Sequence, residues 1–319
     1  MREAGLRWRE VTVEVGWGVV RGKTCVVGGS ASGDGLKIFC LHGWLDNANT
    51  FDTLAPLLPS GVELLAIDLP GHGLSDHLPP GMHYSALTDL INIRLVAKKL
   101  GWYKFVFLAH SMGALIANYY TAMFPEDIIA LIQLDYIIPR HNQDRITTWR
   151  AEVNIVTKAE ANEKVRPLYT KKEALQRLVN ARKSGPNNEE ENIDEAAAEI
   201  LLPRSAIRIG DEYRWRHDSK VYARFTMLYG MDNWHFVVTR ITCPVLLLRA
   251  SNGICNSLLE PVYRKVLDGY SSSSRLFQYS CVDGAHHVHL THPERVAPLV
   301  KHFLNNVVAS PRHAMSPKL

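Results

Sequence analysis

Short apolar runs that alternate with helical patterns are the feature that most constrains the fold of this chain. The runs largely lack a polar face and are flanked by turn residues, which is typical of strands buried on both sides of a sheet. They occupy residues 36–41, 63–68, 105–109, 128–134, 244–248 and 275–282. Apolar residues at helical spacing occupy residues 49–58, 85–100, 113–124 and 293–306. Strands that alternate with helices predict an α/β fold, with a mostly parallel sheet and helices on both of its faces.

The alternation stops near Tyr136, where the chain becomes polar, charged and helical in pattern for about a hundred residues. Near the N-terminus, the spaced valines of residues 11–20 predict one additional strand. We therefore predict a core in two parts, an inserted helical cap and a short tail. The two parts of the core are residues 1–135 and 240–310, the cap is residues 136–239, and the tail is residues 311–319.

Composition and charge exclude several classes of protein. Hydrophobic residues make up 46% and charged residues 21% of the chain, which is ordinary for a folded globular protein. The net charge is +4 without a long basic run, so nucleic-acid binding has little electrostatic support. No apolar run approaches the ~20 residues of a membrane helix, and the N-terminus lacks the apolar region of a secretory signal. We therefore expect an intracellular protein with no integral membrane segment.

The cysteines and the last residues bear on the cellular compartment. Five cysteines are scattered without CxxC spacing, which favours reduced thiols over disulfides or a zinc site. The chain ends in Ser-Pro-Lys-Leu at residues 316–319, which resembles the Ser-Lys-Leu peroxisomal signal except for the proline. Two interpretations stay open: a cytoplasmic protein with an unread tail, and a protein bound at this tail by a peroxisomal import receptor.

Ser111 follows an apolar run, in the stretch KFVFLAHSMGA, and a helical pattern begins two residues later. A serine on such a strand-to-helix turn projects its hydroxyl above the carboxyl edge of a sheet. The turn requires small residues two positions before and two positions after the serine. Ala109 and Gly113 meet this requirement, although glycine is more usual at the first position. The pattern predicts that Ser111 is a nucleophile.

A second turn, in the stretch LHGWLD, follows the apolar run at residues 36–41. A developing oxyanion needs two backbone N–H donors aimed at one point. Gly43 would let the chain bend and expose the N–H of Trp44, and the N–H of Met112 would be the second donor. His42 precedes the turn, so we interpret it as a structural, hydrogen-bonded histidine.

Two further stretches contain histidines. In DLPGHGLS, we interpret Asp68 and His72 as residues that fix a tight loop. The stretch VDGAHHVHLTHP carries four histidines, and histidine is the side chain best matched to general base catalysis at neutral pH. Two of the four are adjacent, and no Cys, Glu or Asp pattern nearby forms a familiar metal site. We therefore expect no metal and no cofactor.

These motifs resemble those of the α/β-hydrolase superfamily, and more closely those of the serine hydrolase-like (kraken-type) proteins. The matching motifs are LHGWLDN, DLPGHGLSD, AHSMG and a late G-x-H followed by Pro293. The resemblance covers residues 10–135 and 240–306, whereas the predicted cap matches only loosely. It implies the α/β-hydrolase fold with an inserted helical cap. It also implies that the base is the histidine seven residues before the proline, His286, with His287 as the alternative.

The acid that orients the histidine is the least certain member of the predicted site. In most α/β hydrolases an aspartate lies just beyond the strand that corresponds to residues 245–248, but here Gly253 occupies its place. The superfamily has an alternative position at the end of the preceding core strand, where this chain has Asp135. We favour Asp135 as the residue that orients His286. Asn256 as a neutral orienting residue, and a site with no third member, stay open.

The resemblance implies a serine hydrolase that cleaves a carboxylic ester or a related small acyl substrate through an acyl-enzyme on Ser111. Dehalogenases and epoxide hydrolases share the fold but use an aspartate nucleophile, so Ser111 argues against both. Acyl transfer and carbon–carbon bond hydrolysis stay open, because the same serine machinery serves them. The alternative to an enzyme is a catalytically weak or inactive protein with the hydrolase fold that binds a ligand. The missing aspartate at Gly253 favours this alternative.

The predicted cap would cover this site and form an apolar acyl pocket. Its aromatic side chains are candidates for lining that pocket, although core packing would also account for any one of them. They are Trp149, Tyr213, Trp215, Tyr222, Phe225, Trp234 and Phe236. We interpret the basic residues of the same segment as a solvated face. They are Arg145, Arg150, Lys158, Arg182 and Lys183.

Overall fold

The computed structural model describes residues 6–29, 35–136, 145–161, 166–184, 190–223, 231–255 and 260–309. Phe225, Asn256 and the tail from residue 310 lie outside these ranges. The strands are β1 (Arg9–Val15), β2 (Gly18–Val26), β3 (Lys37–Leu41), β4 (Glu63–Ile67), β5 (Phe105–His110), β6 (Ile128–Leu134), β7 (Tyr169–Thr170), β8 (Lys183–Ser184), β9 (Glu190–Glu191), β10 (Ala206–Ile209), β11 (Glu212–Trp215), β12 (Val245–Asn252) and β13 (Phe277–Ala285). The helices are α1 (Ala86–Lys99), α2 (Met112–Met123), α3 (Arg145–Ala161), α4 (Lys171–Asn180), α5 (Glu195–Ser205), α6 (Met231–Val238), α7 (Glu260–Ser273), α8 (Val288–Thr291) and α9 (Pro293–Ala309). Short 3-10 helices lie at Ala48–Phe51, Ala55–Leu57, Pro125–Asp127 and Ser219–Tyr222.

In the described part of the chain, eight strands form one central sheet in the order β1-β2-β4-β3-β5-β6-β12-β13. Strands β3 to β6, β12 and β13 pair in parallel, and β1 and β2 extend one edge in antiparallel pairing. The predicted α/β fold with a mostly parallel sheet is confirmed. The carboxyl ends of the parallel strands therefore share one edge, where loops from β3, β5, β6 and β13 meet.

Helices cover both faces of the sheet. On β5, Phe105 and Phe107 point to the face where α1, α2, α6 and α7 pack. Val106 and Leu108 point to the opposite face, where α9 and the first two 3-10 helices pack. Side chains alternate along a strand, so a sheet that is covered on both sides needs apolar residues at every position. This burial explains why the parallel strands appear in the sequence as uninterrupted apolar runs.

Two predictions near the N-terminus were wrong in detail. Residues 11–20 do not form one strand, because they belong to β1 and β2 of a hairpin with a two-residue turn. Such a short turn leaves the alternation of valines almost intact, so the pattern does not reveal it. Residues 49–58 form two 3-10 helices instead of one continuous helix. Pro56, which stands at the start of the second one, lacks the N–H that a continuous helix would use.

The segment between β6 and β12 contains helices and also a three-stranded antiparallel sheet in the order β10-β11-β7. The sequence analysis predicted only helices here. The hairpin of β10 and β11 turns at Gly210, whose φ of 63° is a conformation that favours glycine. Helices α4 and α5 share a small apolar cluster of their own. Helix α6, in contrast, inserts Trp234 into the main core next to α2, where its ring contacts that of Tyr119 edge-on.

The cysteines and the helix lengths extend the picture drawn from composition. All five cysteines are free thiols, and Cys281 is the exposed one. Burial raises the pKa of Cys25 and of Cys243 to about 12, so both stay protonated at neutral pH. Within the described ranges, no helix combines the length and the apolar character that a membrane crossing demands.

Candidate active site

Ser111 lies where β5 ends and α2 begins. Its φ of 52° and ψ of −119° form a sharp turn in the left-handed region, a strained conformation for a residue other than glycine. Its N–H donates to the carbonyl of Leu134 on the neighbouring strand (3.1 Å), which fixes the turn against the sheet. A Cβ on Gly113 would lie 2.3 Å from the carbonyl oxygen of Leu41. Glycine at this position therefore lets α2 pass close to the end of β3, and Ala109, at the other small position, is fully buried.

His286 follows β13 and contacts Ser111 directly. Its Nε2 lies 2.9 Å from Oγ of Ser111, and its Nδ1 lies 2.5 Å from Oδ2 of Asp135. A carboxylate only accepts, so Nδ1 carries the proton and Nε2 presents its lone pair to the serine hydroxyl. The backbone N–H of His286 donates to the side chain of Asn192 (3.1 Å), which belongs to the segment between β6 and β12. The structure thus brings the three side chains into one hydrogen-bonded row.

Asp135 comes directly after β6 and has a left-handed φ of 48°. Its side chain is 1% exposed. Oδ1 accepts the N–H of Ala250 (2.9 Å), and Oδ2 accepts the N–H of Ile254 (3.1 Å) in addition to the contact with His286. These donors come from the end of β12 and the turn after it. They hold the carboxylate in one orientation, with Oδ2 aimed at the imidazole.

Gly253 stands where most α/β hydrolases have the acid, and its lack of a side chain has a structural reason. A Cβ at this position would lie 2.2 Å from Oδ2 and 2.3 Å from Oδ1 of Asp135. The carboxylate of Asp135 therefore fills the space that a side chain at position 253 would need. The two positions for an acid exclude each other in this fold. Asn256, the alternative from the sequence, lies outside the described residues.

The loop after β3 approaches the serine closely. His42 is buried within it, where Nδ1 donates to the carbonyl of Gly43 (2.7 Å) and Nε2 accepts the N–H of Leu69 (2.9 Å). The imidazole therefore ties the β3 loop to the β4 loop and has no free nitrogen for catalysis. A Cβ on Gly43 would lie 3.2 Å from Cβ of Ser111. The same Cβ would lie 2.9 Å from Nδ1 of His110, so a side chain at this position would crowd both residues.

The two residues predicted to donate to an oxyanion, Trp44 and Met112, belong to these two turns. Met112 is the first residue of α2, and the N–H of a first helical residue has no carbonyl partner within its helix. The start of a helix also carries partial positive charge, which favours a developing anion. Trp44 follows Gly43, and its indole N–H donates to the carbonyl of Val221 (2.9 Å). The loop that follows β3 is therefore anchored, through Trp44, to the segment that follows β6.

A buried cluster of polar side chains, which was not predicted from the sequence, supports the turn that carries His286 and His287. Oδ1 of Asp46 accepts from Arg182 (3.1 Å), and Oδ2 lies 3.4 Å from Nε2 of His287. Nε2 of His110 donates to the carbonyl of His286 (3.0 Å). Burial acts to raise the pKa of Asp46, but Arg182 and His287 outweigh it and lower that pKa below its usual range. Burial lowers the pKa of His287 to about 4, so its ring is neutral at pH 7.

Arg182 departs from the interpretation of the basic residues as a solvated face, whereas Arg150 and Lys158 are exposed as predicted. The guanidinium of Arg182 is buried and also donates to the carbonyl of Leu45 (2.7 Å), a residue with a left-handed φ of 57°. A charged side chain leaves water only where other polar groups replace its hydration, and sequence periodicity does not show where those groups are. His287, the alternative base, contacts Asp46, whereas the contact with Ser111 belongs to His286.

Asp46, His110 and His287 are also buried residues whose ligand atoms lie within 4.8 Å of one another, close enough to suggest a metal site. We assign no metal to them. The guanidinium of Arg182 already pairs with the carboxylate, and its positive charge opposes a second cation nearby. The expectation of a site without metal stays a prediction.

The aromatic residues predicted to line a pocket fall into different environments. Trp215 and Tyr222 line a cavity of about 500 Å³, and Leu45 and Asp46 from the loop after β3 also line it. The others lie elsewhere: Trp234 in the main core, Tyr213 beside the cluster of α4 and α5, and Trp149 and Phe236 exposed on the surface. The cavity is not apolar, because two arginines and a histidine are among its lining residues.

The chain matches the model of the alpha/beta hydrolase family over residues 38–299. It belongs to this family. The chain is 32% identical over 314 residues to the serine hydrolase-like protein of Danio rerio, and the match covers 95% of this chain and 90% of that protein. It is 30% identical to the probable serine hydrolase of Drosophila melanogaster, over 93% of this chain and 88% of that protein. The resemblance drawn from the sequence motifs is confirmed.

The fold of this hydrolase is also similar to solved structures. A hypothetical protein from Pseudomonas aeruginosa PAO1 is 28% identical in sequence and superposes with a TM-score of 0.73, over 94% of this chain and 99% of that chain. The predicted α/β-hydrolase fold is therefore confirmed in both sequence and structure. Family membership supports a hydrolase.

Proposed function

We propose that this protein is a serine hydrolase that cleaves carboxylic esters or related acyl substrates through an acyl-enzyme on Ser111. The observation that supports the proposal is the row of contacts from Ser111 Oγ to His286 Nε2, and from His286 Nδ1 to Asp135 Oδ2. A serine hydroxyl becomes a nucleophile when an adjacent base takes its proton. Asp135 would keep the proton of the neutral ring on Nδ1, which leaves Nε2 free for that role.

In the first half of the reaction, Oγ of Ser111 attacks the carbonyl carbon of the ester while Nε2 of His286 takes the hydroxyl proton. The N–H groups of Trp44 and Met112 would stabilise the negative charge on the former carbonyl oxygen. Collapse of the tetrahedral intermediate breaks the bond to the alcohol, which leaves with the proton from His286. In the second half, His286 takes a proton from water, the water oxygen attacks the acyl-enzyme, and the carboxylic acid is released as Oγ regains a proton.

The geometry favours catalysis over the alternative of a ligand-binding protein without catalysis. That alternative depended on the missing aspartate at Gly253, and the carboxylate of Asp135 fills that space and contacts His286. Acyl transfer, in which an alcohol or amine replaces water in the second half, uses the same residues. Carbon–carbon bond hydrolysis does so as well, so product analysis decides among the three.

The test is covalent labelling by a fluorophosphonate probe, followed by turnover of 4-nitrophenyl acetate. We expect labelling of the wild type and its loss in Ser111→Ala, with turnover reduced at least about 10³-fold in both Ser111→Ala and His286→Ala. Ser271→Ala and His292→Gln serve as controls, because both positions are exposed and lie outside the site. Labelling that persists in Ser111→Ala, or equal turnover in all variants, would contradict the proposal.

We further propose that the C-terminal tripeptide, at residues 317–319, is bound by a peroxisomal import receptor. The support is its resemblance to Ser-Lys-Leu. A fluorescent protein that carries residues 310–319 at its C-terminus should appear in peroxisomes, and deletion of the last three residues should leave it in the cytosol. Identical diffuse distributions of the two fusions would show that the tail is unread.

A further inference from the structure

The cavity of about 500 Å³ begins one residue beyond the proposed oxyanion donor Trp44, at Leu45 and Asp46. A Cβ placed on Gly43 would lie 3.2 Å from Cβ of Ser111, and consecutive Cα atoms are about 3.8 Å apart, so the Cα of Leu45 lies within about 8 Å of the Cα of Gly43. The ring of Tyr222, which lines the cavity, packs edge-on against the indole of Trp44. The cavity therefore borders the loop that follows β3 on the side of Leu45 and Asp46.

Positive charge exceeds negative charge around the cavity. Asp46 is the acidic residue among the described lining residues, and Arg182 already neutralises it. Arg177 also lines the cavity, and in the described residues it has no carboxylate within ion-pair distance; its guanidinium lies 4.3 Å from the centre of the Tyr169 ring. Arg166 lies beside the lining residues of the cavity, where it donates to the carbonyls of Trp215 and His217.

A histidine that lines the cavity is affected by the same positive charge. His217 lines the cavity, and its pKa is lowered to about 4, first by burial and then by the positive charge of Arg166. Three aromatic residues, Tyr169, Trp215 and Tyr222, are also among the lining residues and provide apolar surface for a methylene chain. The cavity therefore combines aromatic side chains with a guanidinium that, among the described residues, forms no close ion pair, although Glu173 of the same helix interacts with it at longer range.

We infer that this cavity holds the carboxylate end of the substrate, so that the preferred substrates are monoesters of dicarboxylic acids with Arg177 as the residue that determines specificity. The inference rests on the proposed function, because it assigns the ester end of the same molecule to Ser111. A planar guanidinium binds a carboxylate with two parallel N–H donors. The cation–π contact with Tyr169 holds the guanidinium by its face and leaves its N–H edge available.

The experiment compares two series of 4-nitrophenyl monoesters, from succinate to suberate in chain length. One series ends in a carboxylate and the other in a carboxamide of the same shape. We expect the best carboxylate to exceed its carboxamide in kcat/KM by at least about tenfold, because charge-assisted hydrogen bonds are about twice as strong as neutral ones. Arg177→Gln should reduce the preference to about twofold or less through KM, and Arg177→Lys should restore part of it. Arg208→Gln, an exposed arginine outside the cavity, should change nothing.

Each outcome separates this inference from the proposed function. Turnover of both series with no preference for the carboxylate, or a preference that survives Arg177→Gln, overturns the inference and leaves a serine hydrolase in place. If no probe is hydrolysed, calorimetry of monomethyl adipate with the Ser111→Ala protein decides the cavity alone. Binding that Arg177→Gln abolishes supports the anionic site, and absence of binding overturns it.

Discussion

Replacement of Asp135 by asparagine tests the proposed site most directly, because the two side chains have the same shape. In the wild type, Oδ1 accepts the N–H of Ala250, and Oδ2 accepts both the N–H of Ile254 and the Nδ1–H of His286. An asparagine has one oxygen and one NH2 group for these two places. Whichever place the NH2 group takes, it faces a backbone N–H that needs an acceptor.

The magnitude follows from which donor the NH2 group faces. At the Oδ2 place it would donate to Nδ1 of His286, which moves the ring proton to Nε2 and removes the lone pair that must accept from Ser111. An analogous change in a serine–histidine–aspartate triad lowers kcat by about 10⁴-fold, or about 5 kcal/mol of transition-state stabilisation. At the Oδ1 place it would face the N–H of Ala250, and an unsatisfied buried donor costs about 1–3 kcal/mol of folding stability.

The assay is steady-state turnover of 4-nitrophenyl acetate by Asp135→Asn, with the fraction of folded protein checked by urea unfolding. We expect kcat to fall by 10³-fold to 10⁴-fold while KM changes little, since the acid does not touch the substrate. Asp283→Asn is the matched control, because this aspartate lies in β13, three residues before His286, with its side chain 81% exposed. A kcat within about threefold of wild type in a folded Asp135→Asn protein would refute the role of Asp135.

Three further predictions follow from the same region. In Gly253→Ala, the new Cβ would lie 2.2 Å from Oδ2 of Asp135, and a carboxylate displaced by about 1 Å should lower kcat about 10²-fold in ester turnover; an unchanged kcat would mean that the acid acts from another place. In Arg182→Gln, the buried carboxylate of Asp46 loses its guanidinium partner, so urea unfolding should show a loss of about 3 kcal/mol, and a loss below about 1 kcal/mol would show that His287 suffices as partner. For pH, burial lowers the pKa of His287 to about 4 against about 6.5 in the unfolded chain. The unfolded state therefore binds the extra proton between these values, and His287 by itself should contribute about 2 kcal/mol to the fall in stability from pH 7 to pH 5, measured by urea unfolding as the difference between wild type and His287→Gln. The fall should be shallower in His287→Gln, and equal stability at both pH values would contradict the account.

The elements that the sequence analysis located well are those whose environment is uniform along the chain. The strands β3 to β6 are apolar at most positions because helices cover both faces, and that burial appears as an apolar run whatever the neighbours are. The short strands β10 and β11 were missed, although the isoleucines of β10 and the turn at Gly210 form a recognisable hairpin signal. The hairpin of β1 and β2 was read as one strand, because a two-residue turn barely interrupts a period of two.

The residues of the candidate site also fall into two groups: those that a local sequence pattern identifies and those that only tertiary contacts identify. Ser111 was identified because an elbow is a local structure: the strand, the small residues and the helix that follows all lie within one short stretch. Gly253 and Asp135 could not be related from the sequence, because their mutual exclusion arises only when β6 and β12 pair side by side. Arg182 and Asp46 are similar, since the contact that buries them joins residues far apart in the chain.

The sequence by itself determined the α/β class, the order of the parallel strands along the chain, the family and the serine at the elbow. These depend on burial and on backbone geometry within a few residues, and both leave a pattern in neighbouring positions. The tertiary structure alone decided which carboxylate faces His286, why position 253 is a glycine, and where the charges of the β6–β12 segment lie. Each of these is a contact between side chains from distant elements, and the distance and orientation of such a contact are set by how the strands pair and the loops pack.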